Sequence, residues 1–360
     1  MTNLKVEVEY VLKDSLLNQI EKLIVYSNVP KINTSSFFIK CFNDFLLDGW
    51  KPLFIKCINT SSNIVVGIIP LMFKTFKRKE IIPYKKLRFF GSTFSDFHDV
   101  YAKPEHKEVT IKTSMNWLYN GPFKWQEMII DDILSDTNII KPLERYLAIK
   151  KANYRLTIGS YFYINLQRSW EAIINDTSKS FVWKNVKLAK NRITKAGNWE
   201  IEYNPNIDED EIIKRFRPIH IERQKALGRK SRFSDEGGDL QAFKKILTYH
   251  LENNQFNTYW LKFNNVYIGY MLGFYIDNIF YWWSTAFKED YKNFYPSRLL
   301  QYYVLEFMHK NNYREFNFMR GESGYKNKWT KTCRSNYRFR IYNNKDLYGK
   351  LLGVFDKNFR

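Results

Sequence analysis

The chain has 360 residues, enough for two domains of ordinary size, and its 44% hydrophobic and 18% aromatic content supplies a core for each, which excludes a disordered polymer. Its formal charge of +20 points to an anionic partner such as nucleic acid, a phosphate-bearing cofactor or an acidic membrane surface, with a lysine-rich overall composition as the competing explanation. Cys41, Cys57 and Cys333 are odd in number, far apart and never in a C-x-x-C pair, which argues against a disulfide framework or zinc site and fits a reducing compartment.

The opening residues, MTNLKVEVEYVLKD, are charged too early for a signal peptide, and the longest apolar stretches, Ile64 to Phe73 and Tyr267 to Ile276, are too short to span a bilayer. The expectation is a soluble cytoplasmic protein, with peripheral contact at the inner face of a membrane left open. In chain order, a strand over Lys5 to Leu12 precedes helices over Asp14 to Tyr26 and from Ser36 to Leu47. A hairpin follows, Pro52 to Ile58 and Ile64 to Phe73, then a short strand, Leu87 to Phe90, and a polar loop, Gly91 to Asp99, that holds Asp96, His98 and Asp99 together. A helix from about Glu108 to Tyr119 and a strand from Trp125 to Asp131 close this half, and Asp132 to Tyr161 reads as a connection with one short helix.

The second half opens on a strand, Tyr161 to Leu166, and a basic helix, Phe181 to Ala196, on which Val182, Val186, Ala189 and Ile193 form a stripe while Lys184, Lys187, Lys190, Arg192 and Lys195 cover the rest. Helices over Asp208 to Leu227, with Pro218 as a kink or restart, and Leu240 to Asn253 lead to a three-strand meander: Asn257 to Phe263, Val266 to Ile276 and Ile279 to Ala286. A helix from Pro296 to about Lys310 and a strand from Glu315 complete the series. Meander, helix and strand also describe residues 52 to 131, so the expected organisation is a duplication: domains at 1–150 and 151–345 and a tail at 346–360.

Three places carry candidate chemistry. In FNFMRGESGYKNKW, Phe316 to Trp329, a strand gives way to Arg320, Glu322, Tyr325, Lys326 and Lys328 spaced by Gly321 and Gly324, either a reactive loop or a charged hairpin turn. The helix start at Pro296, Ser297 and Arg298 suits a pyrophosphate, because its first amides lack helical partners and the dipole is positive there, although an ordinary helix start reads the same way. Phe216, His220, Arg223 and Leu227 share one helix face, and the two polar members need partners if buried: a substrate or Glu322, with a satisfied structural His and Arg pair as the competing reading.

The ordered set FVWKNVKLAKNRI, RPIHIERQKALGRKSRFSD, the meander, YPSRLL and FNFMRGESGYKNKW, with GIIPLMF and GSTFSDFHDVY in the first half, resembles the CelD/BcsL-like acyltransferases of the GNAT superfamily over roughly residues 30 to 335. The resemblance implies an α+β fold: two tandem GNAT-like domains, each a mixed, mainly antiparallel twisted sheet flanked by helices, a layout shared with Fem-type aminoacyl transferases. It also implies acetyl-CoA or another acyl-CoA as donor, with pantetheine between Ile279–Ala286 and Glu315–Met319 and the phosphates near Ser297 and Arg298, where the usual glycine-containing pyrophosphate loop is replaced by Tyr295-Pro296-Ser297-Arg298.

On that template His220 or Glu322 is the base, Tyr325 the proton donor or a substrate hydrogen bond, and Lys326 and Arg223 oxyanion or substrate contacts, with Arg320 and Trp329 as further substrate contacts. Asp96, His98 and Asp99 would complete an acceptor pocket, or form a solvated loop. The five histidines show no ligand spacing with cysteines, and no metal is expected. The leading expectation is acyl transfer to a sugar, nucleotide-sugar or other cell-envelope polysaccharide precursor. Transfer from aminoacyl-tRNA and a non-catalytic binder of acidic polymer or membrane are the alternatives.

Overall fold

A computed structural model of the chain describes residues 3–33, 36–44, 49–78, 82–92, 95–176, 181–234, 238–321 and 324–358. In chain order it holds β1 (Leu4–Glu9), α1 (Asp14–Ile24), α2 (Ser36–Asp44), β2 (Lys51–Asn59), β3 (Val65–Arg78), β4 (Ile82–Phe89), β5 (Tyr101–Ala102), α3 (Pro104–Asn120), β6 (Glu127–Leu134), α4 (Ile140–Ile149) and β7 (Asn153–Asn165). There follow α5 (Trp170–Asp176), α6 (Phe181–Ala196), β8 (Trp199–Tyr203), α7 (Glu209–Ala226), α8 (Gly238–Glu252), β9 (Phe256–Phe263), β10 (Val266–Ile276), β11 (Ile279–Phe287), α9 (Pro296–Lys310), β12 (Glu315–Asn317), α10 (Lys326–Trp329), β13 (Cys333–Tyr342) and α11 (Leu347–Asn358).

Two units divide these elements: Met1–Gly159 with Ser335–Arg360, and Ser160–Arg334. In the first, the strands run β1-β2-β3-β4-β6-β13, antiparallel throughout except that β4 and β6 are parallel, with β5 beside β3. In the second, the order is β8-β9-β10-β11-β12-β7, again with one parallel pair, β11 and β12. Both units therefore follow one plan: an antiparallel meander, a helix, and a strand that returns parallel to the meander's last member. The fold class is α+β, a mixed sheet flanked by helices.

Local chemistry explains the plan. In the second unit the two hairpins turn on Asn264–Asn265 and Asp277–Asn278, all four with positive φ, the backbone that two-residue hairpin loops require and that Asn and Asp tolerate. Helices α3 and α9 both start with proline in the first turn. Helix α7 is capped by Asp208, whose side chain accepts from the Glu211 amide at 2.8 Å, and it runs through Pro218 to Ala226. The first core gathers Leu53, Leu71, Leu87, Ile111, Trp125 and Phe339, and the second gathers Tyr259, Met271, Phe280, Leu300, Val304 and Phe316.

Several expectations need correction. The segment read as a connection up to Tyr161 is strand at both ends, since β6 runs on to Leu134 and β7 starts at Asn153. Strand β8, helix α5 and strand β13 were not foreseen. The tail from 346 contains α11, and it belongs with 335–345 to the first unit rather than following a second domain that ends at 345. Glu127 draws β13 to β6 by accepting from Arg340 at 2.5 Å, and Asn343 donates to the Trp125 carbonyl at 3.0 Å. Among the described residues, no helix is long and apolar enough to cross a membrane.

Candidate active site

The site grows from the place where β11 and β12 part. Their parallel pairing covers Ile279–Tyr281 against Glu315–Asn317. Just beyond it β11 carries a bulge, because Ser284 faces Leu272 and Trp282 faces Gly273, leaving Trp283 as an extra residue that bends the strand. On the other side, Met319 and Gly321 take positive φ of 54° and 101° and turn the chain away from the sheet. Against this part of β11 lies a cavity of about 470 Å³.

Its walls come from five parts of the chain. β11 supplies Trp282, Thr285, Ala286 and Phe287; α9 supplies Ser297, Arg298 and Gln301; Tyr325, Lys328 and Trp329 close one side; and α7 gives Arg223, Gln224 and Leu227, with Val186 from α6. Among the described residues three cations and no carboxylate line it. Arg298 is held by Asn185 at 2.9 Å and lies over the Tyr295 ring, 4.5 Å from its centroid. Arg223 is fixed between Glu289, at 2.6 Å, and the Phe287 ring, at 4.4 Å. Two donors in the walls, Trp282 Nε1 and Gln301 Nε2, are buried without a hydrogen-bond partner among the described residues, an arrangement that favours a ligand rich in acceptors.

Of the sequence-selected residues, the fold brings Arg223, Ser297, Arg298, Tyr325 and Trp329 to this one cavity. Pro296 is buried behind them as the first helical residue. Glu322 lies outside the described residues. Arg320 is exposed and does not line the cavity.

Lys326 corrects the expectation of a substrate contact: it is buried, and its ammonium donates to the carbonyls of Phe318, Met319 and Arg320 at 2.8, 3.2 and 2.6 Å. His220 is also displaced from the expected role. Its Nδ1 lies 2.8 Å from Ser231 Oγ, its ring packs edge-on against Phe216 and Phe233, and it is absent from the cavity wall. The shared helix face therefore splits, with Phe216 and His220 turned to an aromatic cluster and Arg223 and Leu227 to the cavity; the partners are Ser231 and Glu289.

Burial, and then the charge of Arg232, push the His220 imidazole down to about 4, and burial does the same to His250, against a hydrogen bond to Gln255. Both rings are neutral near pH 7. Because the unfolded chain binds these protons at the ordinary 6.5 and the folded chain only near 4, acid favours unfolding. The urea midpoint should hold above pH 6.5 and fall as pH drops from 6.5 towards 4, with a shallower fall in His220→Gln/His250→Gln. An equally steep fall in the double variant would assign the acid sensitivity to other groups.

Asp96, His98 and Asp99 form a buried cluster in the first unit rather than a solvated loop. Asp99 accepts both 2.9 Å hydrogen bonds from Lys107, and further ones from Ser27 and the amides of Asn28 and Val100. His98 stacks on Phe89 and uses both ring nitrogens, one 2.7 Å from Ser95 Oγ and the other 3.0 Å from the Asp131 carbonyl. The sequence suggested no metal-ligand spacing, yet the fold brings potential ligand atoms of His98, Asp131 and Asp132 within 4.8 Å of one another. A bulge in β6, with Asp132 at φ 57°, turns these neighbouring aspartates inward. Arg88 neutralises Asp131 at 2.7 Å, and Asn336 donates to Asp132 at 3.2 Å.

Comparison with known proteins decides the class of the second unit. Residues 180–327 match the family model described as an acetyltransferase (GNAT) domain. The second unit carries a GNAT acyltransferase domain. The match takes in α6 to the start of α10, and so the cavity walls up to Tyr325.

No curated protein matches the chain. Among solved structures, FemX aligns over 96% of this chain and 100% of its own at 12% identity and a TM-score of 0.59. L-PGS from Bacillus licheniformis aligns over 94% and 95% at 13% and 0.53, and a tandem GNAT protein from the clavulanic acid biosynthesis pathway over 94% and 98% at 10% and 0.52. At these identities the likeness is one of fold, and it spans both units. The cavity residues missed from sequence, Trp282, Gln301 and Gln224 among them, sit in the strand and helices expected there. Trp282 and Gln301 are the two buried polar groups on otherwise apolar faces that could have been singled out.

Proposed function

We propose that the chain is an acyl-CoA-dependent N- or O-acyltransferase in which the cavity between β11, α9 and α10 takes the donor. The observation that carries this reading is a GNAT-domain cavity that combines cations at the start of α9 with two unpartnered buried donors. Phosphates suit Arg298, the amide end of α9 beside Ser297, and Lys328. The amide carbonyls of pantetheine suit Trp282 Nε1 and Gln301 Nε2.

In the reaction, an acceptor nitrogen or oxygen attacks the thioester carbon, the carbon–sulfur bond breaks, and the thiolate takes a proton. Tyr325, exposed at the cavity rim and edge-on to Trp282, is the group proposed to supply that proton. Glu322 is proposed as base on its sequence position alone. No covalent intermediate is needed when donor and acceptor are held together. The acceptor class, a sugar, nucleotide-sugar or other cell-envelope polysaccharide precursor at the cytoplasmic side, rests on the resemblance to CelD/BcsL-like enzymes.

Calorimetric titration with acetyl-CoA tests the donor. Micromolar binding by the wild type, weakened about a hundredfold or more by Arg298→Glu, is the expected result, since the change both removes a phosphate contact and adds repulsion. Absence of binding by the wild type would overturn the reading.

A second reading has one observation in its favour. Lys184, Lys187, Lys190, Arg192 and Lys195 are all exposed on α6, a helix with no acidic residue, and such a face suits tRNA in a Fem-like aminoacyl transferase. Salt-sensitive tRNA binding lost on reversing these charges would move transfer from aminoacyl-tRNA to the front.

A further inference from the structure

Helix α11 is built inside out. Its small residues face the protein: a Cβ on Gly349 would stand 2.5 Å from the Asn343 carbonyl oxygen, and one on Gly353 would stand 3.1 Å from Asn153 Cβ. Gly349 and Gly353 are four residues apart, so they share one side, and that side presses onto the first unit. Leu347, Leu351, Val354 and Phe355 also share a side, by spacings of four, three and one, and it is the opposite side. They are 77%, 45%, 45% and 53% exposed. A helix that only completed a core would point its large apolar residues inward and its small or polar residues outward.

The charges are sorted in the same sense. The acids of this segment are turned to the protein: Asp346 caps the Gly349 amide at 2.8 Å and accepts from Gln126 at 3.0 Å, and Asp356 lies 3.9 Å from Arg155 and 3.6 Å from Arg340. The cations stay outward. Lys345 and Lys350 are exposed, and Asn344 bonds to the carbonyls of Lys150 and Lys151, which brings the end of α4 alongside. There Lys151 is exposed and Ile149 is 77% exposed. The result is an apolar ridge bordered by basic side chains, with its acids neutralised from behind.

We propose that this face of α11, with Ile149 and the lysines around it, docks on an anionic lipid surface, the ridge entering the headgroup layer and the lysines meeting lipid phosphates. The ridge supplies the apolar contact and the lysines the attraction, and a short interfacial helix needs both for stable attachment. The proposal goes beyond the donor reading and does not depend on it. It would hold the enzyme at a bilayer without any spanning segment.

The test is co-sedimentation of the full-length chain with vesicles of phosphatidylcholine alone and of phosphatidylcholine with phosphatidylglycerol. Binding should require phosphatidylglycerol, weaken with added salt, and fall at least about tenfold in Leu351→Glu/Phe355→Glu, whose sites are exposed so that folding is retained. A second variant, Lys345→Glu/Lys350→Glu, should lose the phosphatidylglycerol dependence while keeping the ridge. Failure of the wild type to bind these vesicles at low salt, or binding by both variants as tight as that of the wild type, would overturn the proposal. So would a concentration-dependent dimer in light scattering that the ridge variant abolishes while vesicle binding stays undetected, which would make the ridge a contact between two copies.

Discussion

Asp99→Ala should destabilise the first unit by about 3–5 kcal/mol, because it leaves the Lys107 ammonium buried without its counter-charge. Lys107 and Asp99 have side chains only 3% and 0% exposed, and among the described residues the ammonium is left with the Thr137 carbonyl, at 2.8 Å. The same carboxylate ties the Ser27 hydroxyl and the amides of Asn28 and Val100, so its loss also strands donors in the loop that follows α1. The check is urea unfolding together with hydrogen exchange at α3 amides. Asp99→Ala/Lys107→Met should be less damaging than Asp99→Ala, since the double change removes both charges. If Asp99 instead served an acceptor, the single variant would keep its stability and lose only turnover.

Lys326→Met should cost about 3 kcal/mol and lower the melting temperature of the second unit by roughly 6–12 °C. The side chain keeps its length but strands three carbonyls, those of Phe318, Met319 and Arg320, at the point where the chain leaves β12. The ammonium acts there as a clasp. It fixes the turn through Met319 and Gly321, and with it the approach of Tyr325, Lys328 and Trp329 to the cavity. Donor binding should therefore weaken along with stability, and added ligand should recover part of the melting temperature. Unchanged stability with lost turnover would return Lys326 to the role of a substrate contact.

The parts of the fold legible in the sequence are those whose own residues carry the signal. Asn264–Asn265 and Asp277–Asn278 mark the hairpins, and Pro296 marks the start of α9, because turn and cap chemistry is local. Strand β7 was legible only at its end. Its first residues, NYRLTIG, are half-buried or exposed without clean alternation, so no period of two stands out. The basic run CRSNYRFRIY was hidden for a related reason: Arg334 and Arg340 are answered by Glu315 and Glu127, which no local pattern announces.

The candidate site divides along the same line. Ser297, Arg298, Tyr325 and Trp329 stood out because they cluster in sequence at an element's end, and the cavity holds them. Lys326 has the same sequence context but faces the other way, which one residue of rotation decides. His98 meets Asp131 and Asp132 only through a bulge in β6. A residue list ordered by chain position does not contain that pairing.

The interleaved order of the chain sets a timetable for its synthesis. Strand β6 is buried along its whole length, and its partner β13 leaves the ribosome only after all of Ser160–Arg334. Until then the first unit has an open, apolar sheet edge, while every strand of the second is already available. The later-made unit is thus the first that can close, and a nascent chain halted before β13 presents the cell with an unpaired edge of the kind that templates aggregation.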